Sequence, residues 1–249
     1  MNTQFSRASH AGFEYVQTTD KDHDLNPLFS FGYRSFQDAL ERTIKAIQPL
    51  PANAIFLGVA DNDGQPVLLN INSPDNGALL INGKSSSGKT ALLQVIASGI
   101  SYTHCPIEVQ YAVITSRPWE WVEWKNSQYC SGIFVPDERQ TVNLLTALEL
   151  WMMRSNHEQA FLLFMDDLDA VTKMDLSSQN KLRQILALGS SCRVWPIATV
   201  NVECLGKENP NLSFFKTHLR CLSEASTSIF DCKYLMEESS NWIMFSVLI

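Results

Sequence analysis

Apolar positions along this chain alternate between two spacings, and each change of spacing marks an element. Phe36, Leu40, Ile44 and Ile47 recur at helical intervals behind Ser35, which predicts a helix capped by that serine and stopped by Pro49 and Pro51. Apolar runs at 54–59 and 66–71 flank Asp61-Asn62-Asp63-Gly64 and read as a β-hairpin. A short buried strand follows at 78–81, and then Ala91, Leu92, Val95, Ile96 and Ile100 return to helical spacing. Residues 107–114 are rich in β-branched types and read as a central strand; 133–135 is a shorter one. Asp137, with Gln140 three residues later, has the form of a capping box for a helix to about Arg154, apolar at Val142, Leu145, Leu148 and Met152. Further strands are predicted at 160–165, 194–200, 214–221 and 242–248, with helices at 177–188 and 223–232. Alternating strands and helices of this kind predict an α/β fold: a mostly parallel sheet with helices on both faces and an added N-terminal β-hairpin. Residues 1–30 are polar without a sustained period and read as an N-terminal arm, leaving 31–249 as the folded domain.

Between the strand at 78–81 and the helix after it lies Gly83-Lys84-Ser85-Ser86-Ser87-Gly88-Lys89-Thr90, which fits G-x-x-x-x-G-K-[ST]. A strand before this pattern and a helix after it are the setting a phosphate-cradling loop requires. The glycines permit backbone turns that direct successive N–H groups inward, and the helix start adds its positive end to the same point. The candidate nucleotide-binding set is therefore Gly83, Lys84, Ser85, Ser86, Ser87, Gly88, Lys89, Thr90 and Ala91. Lys89 is expected on the β and γ phosphates and Thr90 on a magnesium ion, with ATP as the nucleotide.

About seventy-five residues later the strand at 160–165 runs into Asp166-Asp167-Leu168-Asp169, a Walker B pattern that puts acid at the carboxyl end of a buried strand. Asp166 is the expected second metal residue and Asp167 the group that orients or deprotonates the attacking water, with Asp169 the fallback should the register slip. The strand at 194–200 ends in Thr199 and Asn201, either of which is a candidate contact to the γ phosphate. No arginine is placed by sequence within this site, so a finger from a neighbouring subunit is expected, with Arg117, Arg154 and Arg193 as candidates.

Composition narrows the partners. With 45% hydrophobic and 18% charged residues the chain has ordinary globular usage. No apolar run is long enough to span a bilayer, and the N-terminus has no apolar stretch of the signal-peptide kind, so a cytoplasmic protein without direct membrane insertion is expected. The six cysteines are scattered and form no C-x-x-C pair, which argues for reduced buried thiols over a metal centre. Nineteen basic residues stand against 26 acidic ones with no basic run, which disfavours DNA as a standing partner. Lys181, Arg183, Lys207 and Lys216 are the residues that a ring of subunits would have to gather for DNA. The stretch Trp119-Glu120-Trp121-Val122-Glu123-Trp124 alternates indoles with acid, which suggests one apolar face for docking; packing of the same indoles inside the domain is the other reading.

The order of these pieces resembles the FtsK/SpoIIIE family of P-loop translocases, and most closely a single ATPase domain of the type VII secretion ATPases. The likeness runs through Phe56-Leu57-Gly58-Val59 and Gly64-Gln65-Pro66-Val67, the phosphate loop, Cys105-Pro106-Ile107-Glu108-Val109-Gln110-Tyr111, Walker B at Phe164 to Asp167, and Ile197-Ala198-Thr199. The resemblance implies a RecA-like/FtsK-like domain, an ATP-driven oligomeric motor, and protein export or DNA movement as the work done. Three positions depart from the family pattern: Asp167 stands where Glu is common, Val200 where Gln is usual, and Gly189-Ser190 where Gly-Arg is usual. Two functions follow. One is an ATP-hydrolysing motor or remodelling subunit, slow in isolation, acting as a homo-oligomer or within a larger assembly on a protein client. The other is a degenerate nucleotide-binding module that joins a larger ATPase and hydrolyses little. A DNA translocase comes third.

Overall fold

The computed structural model describes residues 27–154, 158–171, 174–205, 210–222, 233–238 and 241–247, with side chains throughout except at 27–35, 205, 237, 238, 241 and 242. Ten strands form one sheet: β1 (Ala54–Ala60), β2 (Pro66–Asn70), β3 (Ala78–Gly83), β4 (Val109–Thr115), β5 (Cys130–Phe134), β6 (Ala160–Asp166), β7 (Val194–Asn201), β8 (Phe215–Cys221), β9 (Lys233–Glu238) and β10 (Asn241–Ser246). Their order across the sheet is β2-β1-β10-β9-β8-β3-β7-β6-β4-β5. From β8 to β5 every neighbour is parallel, and from β2 to β8 every neighbour is antiparallel.

The central strands are nearly continuous apolar runs because both of their faces are covered, with polar residues such as Asp166 and Thr199 at their carboxyl ends. All seven residues of β4 and all seven of β6 are buried. Side chains alternate between two cores: on β6, Leu162 and Phe164 join one cluster while Phe161, Leu163 and Met165 join the other. Each fully buried residue of this size contributes about 1.5–3 kcal/mol. One face carries α1 (Pro27–Ala46), α2 (Lys89–Thr103) and the 3₁₀ segment Pro118–Trp124; the other carries α3 (Arg139–Met152), the single turn α4 (Leu168–Val171) and α5 (Leu176–Leu188). One further turn, α6 (Val202–Leu205), follows β7.

Two expectations change, and two features of the sheet have no signal in the local pattern. Helix α1 begins at Pro27, so Ser35 lies within it and does not cap it. Proline suits a first helical turn, where its missing N–H costs nothing. Helix α3 is capped by the backbone of Glu138 with no side-chain cap bond, so the Asp137/Gln140 capping box does not form. The N-terminal hairpin does not sit beside the phosphate-loop strand that follows it in sequence: β9 and β10 are inserted, with β10 paired to β1 and β9 to β8. Strand β9 was not foreseen at all. The helix expected at 223–232 and most of the N-terminal arm lie outside the described residues.

Sheet register sets the site. Thr115 pairs with Asp166, and Met165 with Ala198, which sets Thr199 level with Asp166; β3 and β7 run two residues further, to Gly83 and Asn201. Strand β7 lies between β3 and β6, which brings Thr199 between the phosphate loop and the acidic strand end.

Candidate functional site

The loop after β3 has the backbone an anion nest needs. Gly88, the N-cap of α2, has φ 96°, and Ser86 has φ 58°, so both occupy the left-handed region. Gly83 is fixed by space, since a Cβ there would collide with Ser87 Oγ and stand 2.8 Å from Cys221 Cβ. Ser87 is fully buried, and its hydroxyl has no hydrogen-bond partner among the described residues.

Lys89 folds back over this loop, its Nζ donating to the carbonyls of Gly83 (3.1 Å) and Lys84 (2.5 Å). Burial pulls its ammonium below the usual lysine range, partly offset by the acids of the site. A buried cation held only by carbonyls is suited to a stronger acceptor. Thr90, one residue on, donates to Asp166 Oδ1 and Oδ2 at 3.0 and 3.1 Å. Thus Asp166, and not Asp169, meets the end of the phosphate loop.

Asp166 is 1% exposed and its carboxylate gathers three kinds of donor. Besides Thr90, the Thr199 hydroxyl donates to Oδ1 at 3.0 Å and the Trp121 indole N–H to Oδ2 at 3.2 Å. A buried carboxylate requires such partners, since an unpaired charge there would be costly. Thr199 therefore faces the acid itself. Asp167 turns elsewhere: its Oδ1 accepts the Ala170 N–H at 3.0 Å, which caps α4. Asn201 ends β7 beside Gly83, partly exposed.

Of the three arginines, Arg117 alone reaches the site, and it does so from the same chain. Its Nη2 lies 3.5 Å from Thr90 Oγ1 and 3.8 Å from Asp166 Oδ1, while Nη1 bonds Glu120 Oε1 at 2.9 Å. Burial raises the Glu120 carboxyl, Arg117 opposes this and Asp166 adds to it. Arg154 follows the Met153 C-cap of α3 and Arg193 precedes β7, both toward the opposite ends of the strands; Arg193 Nη1 bonds Asn72 Oδ1 at 2.6 Å. Local sequence places no arginine at this site; in the fold, two residues beyond β4, the backbone brings Arg117 beside the end of β6.

The 3₁₀ segment explains the tryptophans. At three residues per turn, positions 121 and 124 share one side, and 119 and 122 the other. Trp121 and Trp124 are buried, their rings in edge contact at 5.6 Å, whereas Trp119 and Val122 are exposed. Trp124 Nε1 donates to Ser98 Oγ and Gln94 Nε2 to the Glu120 carbonyl, tying the segment to α2. The three indoles therefore do not form one docking face. On the far side Tyr234, from β9, donates to the Gly88 carbonyl at 3.0 Å. Of the proposed pore cations, Lys181 is paired with Glu149 at 2.8 Å, Arg183 lies near Asn211, Lys216 is exposed and Lys207 lies outside the described residues. Burial pushes Cys130 up to about 11, an inert thiol, and no cluster of three or more His, Cys, Asp or Glu suited to a metal occurs among the described residues. No helix among them is long and apolar enough to cross a membrane.

The fold has solved counterparts. The chain is similar to Thermomonospora curvata EccC (ATPases 2 and 3) in complex with a signal sequence peptide, with TM-score 0.62 and 15% identity over 81% of this chain and 44% of that one. It is similar to EssC (ATPases 2 and 3) from Geobacillus thermodenitrificans, with TM-score 0.60 and 13% identity over 81% and 48%. A structure described as an ATPase gives TM-score 0.64 at 13% identity over 86% of this chain and 94% of that one. The chain spans less than half the length of the EccC and EssC structures named. At these identities the likeness is one of fold, and it is the fold of the type VII secretion ATPase domains that the sequence resembles. No family model and no curated protein matches the sequence.

Proposed function

We propose that this chain binds ATP with magnesium at the 83–91 loop and hydrolyses it as a motor or remodelling subunit. The observation that carries the reading is the convergence of Lys89, Thr90 and Asp166 on one point beside a loop whose Ser86 and Gly88 are in the left-handed region. Lys89 exchanges its carbonyl partners for the β and γ phosphates, and the N–H groups from Gly83 to Ala91 take up the rest of the anion. Thr90 and Asp166 are the residues that would hold a magnesium ion, which would neutralise phosphate charge there. Thr199 and Trp121 hold Asp166 in orientation, and Asn201 is the strand-end group free to approach the terminal phosphate. Asp167 is the carboxylate available to the attacking water once it leaves the Ala170 N–H.

The wider role is proposed by analogy with the fold. EccC and EssC ATPases support a homo-oligomer or a larger ATPase assembly, and the EccC complex with a signal sequence peptide supports a protein client. A cytoplasmic site of action is proposed with it. DNA remains disfavoured by the acidic balance and by the Lys181–Glu149 pair. One observation favours the second reading, a nucleotide-binding module with little turnover: the Asp167 carboxylate is engaged as a helix cap. Phosphate release with and without a co-purified partner, and with DNA at low salt, separates the readings. Partner-stimulated turnover supports the motor. Tight ATP binding with no turnover under any condition supports the module. Several-fold stimulation by DNA, lost as salt rises, supports a DNA translocase.

A further inference from the structure

We infer that Arg117 is an in-chain cation for the terminal phosphate of the bound nucleotide, held in position by Glu120. The inference rests on the nucleotide-site reading and extends it to a residue outside the phosphate loop and outside Walker B.

Arg117 Nη2 lies 3.5 Å from Thr90 Oγ1 and 3.8 Å from Asp166 Oδ1, the two groups between which the loop and the acidic strand meet. Its other arm is fixed by Glu120 at 2.9 Å, so the guanidinium is aimed and not free to sweep solvent. Glu120 is itself held, because its carbonyl accepts from Gln94 of α2 at 2.8 Å and the next residue, Trp121, is fully buried against Asp166. The Arg117 side chain keeps 42% exposure, whereas Asp166 beside it keeps 1%, so the guanidinium is accessible to a ligand where the carboxylate is not. Asp166 does not need this cation for its own satisfaction, having Thr90, Thr199 and Trp121 as donors at 3.0–3.2 Å, against 3.8 Å to Arg117. The planar fork suits two phosphate oxygens, and charge on the terminal phosphate is what distinguishes ATP from ADP. Lys89 serves both nucleotides through the β phosphate. Arg117 then supplies preference for the triphosphate, and it reduces the need for an arginine from a neighbouring subunit.

The test is calorimetric titration of the full chain with ATP and with ADP, each with magnesium, for the wild type, Lys89→Ala, Arg117→Gln, Arg117→Lys and Glu120→Gln. A charge-assisted hydrogen bond lost at the terminal phosphate lowers affinity by about tenfold or more. Arg117→Gln is expected to weaken ATP by that factor while leaving ADP within about twofold. Arg117→Lys is expected to retain part of the preference, and Glu120→Gln to lose part of it, since that residue acts only through Arg117. Unfolding midpoints run alongside; should Arg117→Gln fail to fold, Arg117→Lys and Glu120→Gln carry the test. An unchanged ATP-to-ADP ratio in these variants, or tighter ATP binding, overturns the inference while leaving the nucleotide site intact. Failure of the wild type to bind either nucleotide overturns the site reading, and this inference with it.

Discussion

Replacing Thr199 by valine removes one hydroxyl from the buried polar cluster around Asp166. Thr199 is 0% exposed and its Oγ1 donates at 3.0 Å to Asp166, which is 1% exposed. Valine keeps the shape and deletes the donor, so the carboxylate is left with Thr90 and Trp121. A hydrogen bond to a charged group contributes about 1.5–3 kcal/mol. For a chain of this size each kcal/mol moves the thermal midpoint by about 2–4 °C, so the expected fall is about 3–12 °C. Thr199→Ser is the control: it keeps the donor and loses a methyl group, at about 1 kcal/mol. Urea unfolding at neutral pH reads both variants. If Thr199 serves by orienting Asp166, Thr199→Val also weakens ATP binding in magnesium more than in EDTA. A Thr199→Val variant within about 0.5 kcal/mol of wild type refutes the reasoning, as does a Thr199→Ser variant that loses as much as valine does.

Trp121→Phe keeps an aromatic ring against Phe164 but loses the N–H that Asp166 accepts at 3.2 Å, and is expected to cost at least about 1.5 kcal/mol in urea unfolding. Gly83→Ala drives a methyl group into Ser87 and Cys221 and is expected to cost about 1–3 kcal/mol and to abolish ATP binding, read by thermal shift with and without nucleotide. His104, whose ring is buried against the Ala52 carbonyl, is held below the ordinary value of 6.5 by that burial. Its folded form binds protons less readily than its unfolded form, so its contribution is complete above that value and falls as pH drops through it, by at most about 1.4 kcal/mol per pH unit. The difference in unfolding free energy between wild type and His104→Gln should accordingly shrink on acidification from pH 7 to 5.5, and a constant difference would contradict the assignment.

The parallel half of the fold was legible because strands buried on both faces are continuous apolar runs, as at 160–165 and 194–200, and the helices between them carry one apolar stripe. The antiparallel half was less so. Strand β9, Lys-Tyr-Leu-Met-Glu-Glu, mixes charge with apolar residues, and nothing in it announces that it will stand between β8 and β10. Within the site, the loop residues and Asp166 follow from local motif spacing, whereas Arg117 and Trp121 reach it by a turn of chain that local pattern does not encode. The stretch from Trp119 to Trp124 was read with a period of two, as an alternation of indole and acid. Its actual period is three, which sends Trp121 and Trp124 inward and Trp119 outward. Ser35 offers a cap signal in the sequence, yet helix α1 already includes it, extending back to Pro27.

The central claim is that the loop from Gly83 to Ala91 binds nucleotide through Lys89. Isothermal titration of the wild-type chain and of Lys89→Ala with ATP and magnesium, up to millimolar nucleotide, tests it most directly. Saturable heat is expected for the wild type and none for Lys89→Ala at an unchanged fold. Absence of binding by the wild type, or equal binding by the two proteins, would contradict it.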